Sequence, residues 1–150
     1  MLEFRDEKFV KIKMEVSFFL KKMAEAGDLG VASKSDGSLV TKVDYFVSEL
    51  VKRVFHEEIS SGVGFLSEEE MVHSIQFPMM VLDPIDGTNG LVQNNGECCI
   101  SFCYFNSPLI EDPMNFAWIY NPFTGFEVCT TSITIEESLP LSKTHSTCHV

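Results

Sequence analysis

The chain has 150 residues, enough for one domain with a real core and too few for two of ordinary size. Hydrophobic residues make up 45% of it and 13 are phenylalanine, a composition that argues against disorder. Its formal net charge of −11 at pH 7 would repel nucleic acid and anionic membranes, so neither is expected as a partner. A phosphorylated small molecule remains compatible, because bound cations can reverse the local field.

Cysteine usage indicates where the protein resides. Five cysteines show no spacing typical of a disulfide framework, which favours the reducing cytoplasm; they are Cys98, Cys99, Cys103, Cys129 and Cys148. His145, Cys148 and His149 form only a weak metal-binding pattern. The charged N-terminus has no long apolar run, so neither a signal peptide nor a membrane span is expected.

Apolar residues at helical spacing predict two amphipathic helices. The first carries Phe9, Ile12, Val16, Phe19, Leu20 and Met23, and Gly27 is its expected stop. The second covers about residues 43–57. Thr41 and Asp44 stand at its start, where either residue is ordinarily a cap.

Short apolar runs predict the strands. One run over residues 63–66 leads into Ser67 and three glutamates, and another over 79–82 leads into an acidic turn. Residues 98–105, 115–120 and 126–131 follow as β-like runs joined by hairpin connections. The pattern predicts an α+β fold in which the helices cover one face of a largely antiparallel sheet. In the runs 98–105 and 115–120, apolar residues occupy both alternating sets of positions, which further predicts that both faces of these strands are buried.

The acidic turn is the stretch with the clearest chemistry. Asp83 and Asp86 flank Pro84, which bends the chain so that both carboxylates can converge on one point. Carboxylate and carbonyl oxygens are the ligands that Mg²⁺ prefers. Gly87 lets backbone amides approach an anion, and the Thr88 hydroxyl can orient a water. The alternative is a plain surface turn, for which Asp-Pro and Asp-Gly are common formers.

Glu68 is the ligand candidate among the three consecutive glutamates, because it comes directly after an apolar strand, as Asp83 does. A run of glutamates is otherwise usually a solvated face. Glu68 therefore joins Asp83 and Asp86 as a candidate for the same cation.

Three separated segments resemble one protein family. Ser-Asp-Gly-Ser-Leu-Val-Thr-Lys-Val-Asp (35–44), Phe-Leu-Ser-Glu-Glu (65–69) and Leu-Asp-Pro-Ile-Asp-Gly-Thr (82–88) have the order and spacing of the inositol monophosphatase superfamily of metal-dependent, lithium-sensitive phosphatases. Within it, residues 95–97 and 141–145 resemble the 3'(2'),5'-bisphosphate nucleotidase branch. Residues 89–91 depart from both the nucleotidase and the inositol pattern, so both substrate classes stay open.

The resemblance implies a role for each matching residue. Glu68, Asp83, Asp86 and the carbonyl of Ile85 would hold Mg²⁺, with Mn²⁺ possible in its place. Thr88 and Glu68 would position the attacking water, and Asp44 would hydrogen-bond Thr88. The amides of Gly87 and Thr88 would hold the substrate phosphate.

The implied activity is metal-dependent hydrolysis of a phosphomonoester, first 3'-phosphoadenosine 5'-phosphate and alternatively an inositol phosphate. A further alternative is a non-catalytic remnant that binds a cation or a partner chain. Family members are about twice as long, and their second half supplies another metal-binding Asp in a Trp-Asp segment. Here Trp118 is followed by Ile119. Residues 1–150 are thus expected to be the N-terminal metal-binding α+β domain, the first half of a layered αβαβα fold without its C-terminal domain. Such a half is expected to form a homodimer or pair with the missing half, and to be weakly active alone.

Overall fold

The computed structural model describes residues 2–70, 75–131 and 134–135. The segment 141–145, Cys148 and His149 lie outside these residues. The elements in chain order are α1 (Leu2–Ala26), β1 (Ala32–Ser33), β2 (Leu39–Val40), α2 (Lys42–Val54), α3 (His56–Ser60), β3 (Gly64–Ser67), β4 (Met79–Asp86), α4 (Thr88–Val92), β5 (Cys99–Phe105), β6 (Phe116–Tyr120), β7 (Glu127–Thr131) and β8 (Thr134–Ile135).

Six strands form one sheet in the order β3-β4-β5-β6-β7-β8. Only β3 and β4 run parallel, and every later neighbour is antiparallel because short connections return the chain beside its previous strand. β1 and β2 form a separate antiparallel hairpin. The predicted α+β class with a largely antiparallel sheet is confirmed.

The core lies between the sheet and the two long helices. Register places Leu82, Phe102 and Trp118 side by side across β4, β5 and β6, and all three are buried. Phe9 of α1 packs on this row, with its ring centroid 4.5 Å from Trp118 and 5.5 Å from Phe102. Val47 of α2 is also fully buried in the same cluster. One face of the sheet is therefore covered by helices, as expected.

The opposite face of the sheet, here called the open face, is less covered. Asp83, Ser101 and Ile119 are paired across the strands and point to this face, since each is one residue along from the buried row. Ile119 is 42% exposed. The expectation of burial on both faces thus holds for one face only in the described residues. Because Asp83 belongs to the open face, the acidic turn lies at its edge.

Two element boundaries differ from the prediction. The second helix ends at Val54 instead of continuing to residue 57, because Phe55 (φ −102°, ψ 22°) turns out of the helix and packs on Phe9. A separate short helix, α3, follows. The strand that was predicted to end at the acidic turn continues through Pro84 to Asp86. Gly27, with φ 65°, follows the end of α1, as predicted.

In the described part of the chain, no helix is both long and apolar enough to cross a membrane. Three of the cysteines in that part are free thiols: Cys98, Cys99 and Cys103.

A partly buried hydrogen bond joins β6 to β7. The indole of Trp118, which is fully buried, donates to Glu127 Oε1 at 2.6 Å, and Lys13 of α1 donates to Glu127 Oε2 at 2.6 Å. Glu127→Ala should lower the free energy of unfolding by about 2 kcal/mol, because it leaves the indole N–H buried without this acceptor. Glu127→Gln is the matched control, since it retains an acceptor oxygen and should cost less than half as much. Urea denaturation measures the free energy of unfolding of both variants. Equal losses of stability in the two variants would show that the acceptor oxygen for the indole does not matter.

Candidate metal and phosphate site

Parallel pairing of β3 and β4 brings two carboxylates together. Ser67 is paired with Leu82, so Glu68 and Asp83 each follow the last paired residue of adjacent parallel strands. The amide of Glu68 donates to the carbonyl of Leu82 at 3.0 Å, which fixes this end of the pair. Carboxyl ends of parallel strands meet at one edge of a sheet, which is where ligands commonly bind.

An irregularity in β4 adds the third carboxylate. Asp83 pairs with Ser101 and Asp86 pairs with Cys99, so three steps along β4 match two steps along β5. In a regular strand, residues three apart face opposite sides, but the extra residue puts both aspartates on the same face. Ile85 points into the core and is buried. The bulge therefore achieves the convergence that Pro84 was expected to produce.

These groups line a cavity of about 310 Å³. Glu68, Asp83, Asp86 and Thr88 form one side of it, and residues 37–39 from the tip of the β1–β2 hairpin form another. The hairpin tip was not predicted as part of the site. It lies within the 35–44 segment that carries the family resemblance, but its two strands have only two residues each and show no strand periodicity.

The environment of Asp83 disfavours its ionised carboxylate. Burial, followed by the nearby charges of Glu68 and Asp86, raises the pKa of its carboxyl to about 7. Its Oδ1 is buried and has no hydrogen-bond partner. A buried carboxylate oxygen without a partner, beside two further carboxylates, is a site that a cation would stabilise.

The oxygen ligands available here fit Mg²⁺ better than a metal ion whose coordination shell must be completed by protein side chains. No group of three or more His, Cys, Asp or Glu side chains among the described residues is arranged to hold a metal ion unaided. Mg²⁺ usually takes one or two carboxylates and completes its shell with water and substrate phosphate. Asp83, Asp86, Glu68 and the Ile85 carbonyl could supply such an incomplete set of oxygen ligands.

Lys34 lies next to the acidic groups and was not predicted to do so. Its ammonium donates to Glu68 Oε1 at 3.0 Å and to Glu69 Oε1 at 2.7 Å. Burial alone would lower the pKa of Lys34, but the hydrogen bonds to the two glutamates outweigh burial and raise it. Lys34 therefore stays charged and balances part of the negative charge at this edge. Lys34 and Glu68 are 34 positions apart, so no local sequence pattern indicates their contact.

Asp44 and Thr41 combine capping with a link to the acidic turn. The amide and hydroxyl of Thr41 donate to Asp44 Oδ2 at 2.8 and 2.6 Å, and the Thr41 hydroxyl accepts from the amide of Val43. This capping box starts α2. The other oxygen of Asp44, Oδ1, accepts from the Thr88 hydroxyl at 3.3 Å. The same hydroxyl lies 3.0 Å from the Ile85 carbonyl, so its single proton has two acceptors within reach.

The turn after Asp86 exposes backbone donors. Gly87 has φ 83°, a left-handed conformation that favours glycine, and it caps the N-terminus of α4. Among the described residues, the amides of Gly87 and Thr88 have no backbone acceptor. A Cβ on Gly87 would lie 2.5 Å from the carbonyl oxygen of Glu97, so the 95–97 loop packs directly on the turn. Free amides beside candidate cation ligands suit an anionic oxygen.

A second network supports the end of β3. Buried Ser48 of α2 donates to buried Ser67 at 3.1 Å and to Glu70 at 3.3 Å, and Lys52 forms an ion pair with Glu70. These contacts hold the chain on both sides of Glu68. The three glutamates differ in their contacts: Glu70 pairs with Lys52, Glu68 and Glu69 both pair with Lys34, and of the three Glu68 alone lines the cavity.

A profile of the inositol monophosphatase family matches residues 6–148. No curated protein sequence matches the chain significantly. Among solved structures, a staphylococcal IMPase complexed with products is 19% identical with a TM-score of 0.72, covering 92% of this chain and 49% of that one. An IMPase/NADP phosphatase complexed with Mg²⁺ and phosphate is 20% identical with a TM-score of 0.71, covering 91% and 49%.

The extragenic suppressor protein suhB from Bartonella henselae is similar at 18% identity and a TM-score of 0.68, covering 85% of this chain and 49% of that one. These likenesses show a common fold, and this chain spans about half the length of each of the three structures. The family profile, in contrast, covers nearly all of the sequence. The chain therefore belongs to the inositol monophosphatase family.

Proposed function

We propose that this chain carries the cation-binding and phosphate-binding half of a Mg²⁺-dependent phosphomonoester hydrolase. The observation that carries the proposal is the buried, unpartnered Oδ1 of Asp83, which lies close to the charges of Glu68 and Asp86. The cavity that these carboxylates line also contains the Gly87–Thr88 turn with its free amides. The proposed cation ligands and the proposed anion donors thus line one cavity.

Asp83, Asp86, Glu68 and the Ile85 carbonyl are the proposed ligands. When bound, divalent cations lower the pKa of a coordinated water and neutralise charge on the leaving oxygen. The protein's own contribution is to position the substrate phosphate, the attacking water and the cations relative to one another, which is the main requirement for phosphoryl transfer.

The Thr88 hydroxyl is the proposed positioner of the attacking water, together with Glu68. Asp44 accepts a hydrogen bond from Thr88 and is itself fixed by two donors from Thr41. Since Asp44 is almost fully buried, its carboxylate is a fixed acceptor beside the Thr88 hydroxyl. The amides of Gly87 and Thr88 are the proposed donors to the phosphate oxygens, and they lie on a turn that the Glu97 carbonyl supports.

The proposed substrate is a nucleotide bisphosphate, with 3'-phosphoadenosine 5'-phosphate as the first choice. Support comes from the Asn-Gly-Glu segment at 95–97, which resembles the nucleotidase branch and packs on the turn. An inositol phosphate is the second candidate. A similar structure, the dual-specific IMPase/NADP phosphatase, is described as bound with D-inositol-1-phosphate.

A phosphate-release assay compares the two substrates side by side, in the longest natural form of the chain. We expect faster release from 3'-phosphoadenosine 5'-phosphate, a requirement for Mg²⁺, and inhibition by lithium. A preference for inositol 1-phosphate would move the function to the second candidate. Hydrolysis of neither substrate, with Mg²⁺ binding intact, would contradict the enzymatic proposal and favour a non-catalytic remnant.

A further inference from the structure

Two asparagines of the chain are each followed by glycine, and both pairs lie beside the acidic turn. They are Asn89-Gly90 in α4 and Asn95-Gly96 in the loop that packs on α4. Asparagine is a chemically labile residue, because the backbone nitrogen of the next residue can attack its side-chain amide. Glycine at the next position favours this attack, since it has no side chain to obstruct it and its backbone rotates freely.

The fold protects the first pair. The amide of Gly90 donates to the carbonyl of Gly87 at 2.8 Å, and Gly90 is buried. Its nitrogen can attack Asn89 only after this hydrogen bond breaks and the helical turn opens. The rate of such a reaction is reduced to the fraction of chains in which the segment is open.

The second pair is arranged for the reaction. Asn95 is exposed, and among the described residues the amide of Gly96 donates to no backbone carbonyl. The side-chain oxygen of Asn95, Oδ1, accepts a hydrogen bond from the amide of Glu97 at 2.9 Å. A donor at this position stabilises the negative charge that Oδ1 gains when the carbonyl carbon is attacked, as in an oxyanion hole.

We propose that Asn95 is a site of intramolecular deamidation and that Asn89 is protected from it. The Gly96 nitrogen loses its proton to solvent base and bonds to Cγ of Asn95. The bond from Cγ to Nδ2 breaks, and Nδ2 takes up a proton and leaves as ammonia. One water then opens the resulting succinimide ring. Opening at one carbonyl gives aspartate at position 95, and opening at the other gives isoaspartate, in which the backbone runs through the side-chain carbon.

The reaction changes the loop that supports the turn. Nδ2 of Asn95 donates to Glu97 Oε2 at 3.0 Å, and either product replaces this attraction by repulsion between two carboxylates. The backbone carbonyl of Glu97 lies against Gly87 and Gly90. Deamidation therefore loosens the support of the turn and, with time, weakens its affinity for phosphate. This last effect rests on the proposed function, whereas the reaction itself does not.

Peptide mass spectrometry of the chain incubated at pH 8 measures the reaction at each pair separately. In the folded chain, Asn95 should deamidate at least about tenfold faster than Asn89. In the chain unfolded by guanidinium, both should react at similar rates, because glycine follows each asparagine and no structure protects either. Equal rates in the folded chain, or the same large difference in the unfolded chain, would overturn the proposal.

Asn95→Gln is the matched control for the site of reaction. Its side chain is longer by one methylene, so ring closure is slower, and the deamidation signal of this peptide should disappear. A signal that persists in Asn95→Gln would assign the reaction to the neighbouring Asn94 and overturn the proposal.

Asn95→Asp imitates one product and tests the effect on the loop. It should lower the Tm by about 2 °C and weaken the binding of inorganic phosphate in the presence of Mg²⁺ by about threefold. The loss in Tm should shrink in a Glu97→Gln background, where the opposing carboxylate is absent. An equal loss in both backgrounds would overturn the predicted effect on the loop. Absence of phosphate binding in the unsubstituted chain would instead contradict the proposed function, and the deamidation rates would still decide the present proposal.

Discussion

Asp83→Asn is expected to abolish Mg²⁺ binding at the acidic turn. The substitution keeps the shape of the side chain but removes the charge that offsets dehydration of the ion. It also replaces one of the two carboxylate oxygens, of which Oδ1 is buried without a partner, by an NH2 group that cannot bind a cation. Isothermal titration calorimetry measures the affinity, with Asp28→Asn as the control, because Asp28 is an exposed aspartate paired with Lys42 on the surface. Equal affinity in Asp83→Asn and the unsubstituted chain would contradict the ligand assignment.

The same substitution should stabilise the metal-free chain at pH 8. A carboxyl whose pKa rises from 3.8 to about 7 on folding binds more protons in the folded state, so stability falls as the pH rises through this interval. Asn does not titrate, so the substitution removes this pH dependence of the stability. Because Asp83 is only half-buried, solvent reduces the gain to about 1 kcal/mol. Thermal unfolding in EDTA at pH 5 and pH 8 measures it, and a lower Tm for Asp83→Asn at pH 8 would contradict the electrostatic account.

Gly90→Ala is expected to disrupt the turn. Alanine in place of glycine inside a helix normally stabilises it by about 1 kcal/mol. Here the new Cβ would lie 2.1 Å from the Glu97 carbonyl oxygen and 2.6 Å from its carbonyl carbon. Backbone atoms must move to relieve such an overlap, which costs about 3 kcal/mol or more. The clash therefore dominates, and we expect a net loss of about 2 kcal/mol in urea denaturation together with weaker Mg²⁺ binding.

Gly125→Ala is the control for this substitution. Gly125 has φ 72° but no atom within 4 Å of an added Cβ, so its replacement strains the backbone without a clash. We expect a loss of about 1 kcal/mol and an unchanged Mg²⁺ affinity. A stabilised Gly90→Ala chain would show that helix propensity decides the outcome and that the 95–97 loop does not support the turn.

The long elements could be predicted from the spacing of apolar residues, because an element that is buried on one face must place apolar side chains at regular intervals. The core side of α1 follows its expected spacing, and the apolar runs at 98–105, 115–120 and 126–131 form β5, β6 and β7, although 98–105 is buried on one face and not on both. Elements too short for a period were missed, namely the β1–β2 hairpin and the five-residue α4. The end of α2 was misplaced because Phe55 continues the apolar pattern although its backbone leaves the helix.

In the candidate site, too, some residues could be predicted from the sequence and others could not. Glu68, Asp83, Asp86 and Thr88 could be proposed from local motifs, and the structure brings them to one cavity. Groups that reach the site through tertiary contacts could not be found in this way. Lys34 binds Glu68, which is 34 residues away in the sequence. Glu97 lies close to the turn through its backbone carbonyl, and the type of its side chain gives no hint of that contact.

The location of a bound cation tests the central claim most directly. Crystals soaked in Mn²⁺ would show its position by anomalous diffraction without any substitution in the chain. We predict the strongest anomalous peak at the acidic turn, within about 2.3 Å of a carboxylate oxygen of Asp83 or Asp86. A peak elsewhere, with none at the turn at saturating Mn²⁺, would contradict the assignment of this cavity as the metal and phosphate site.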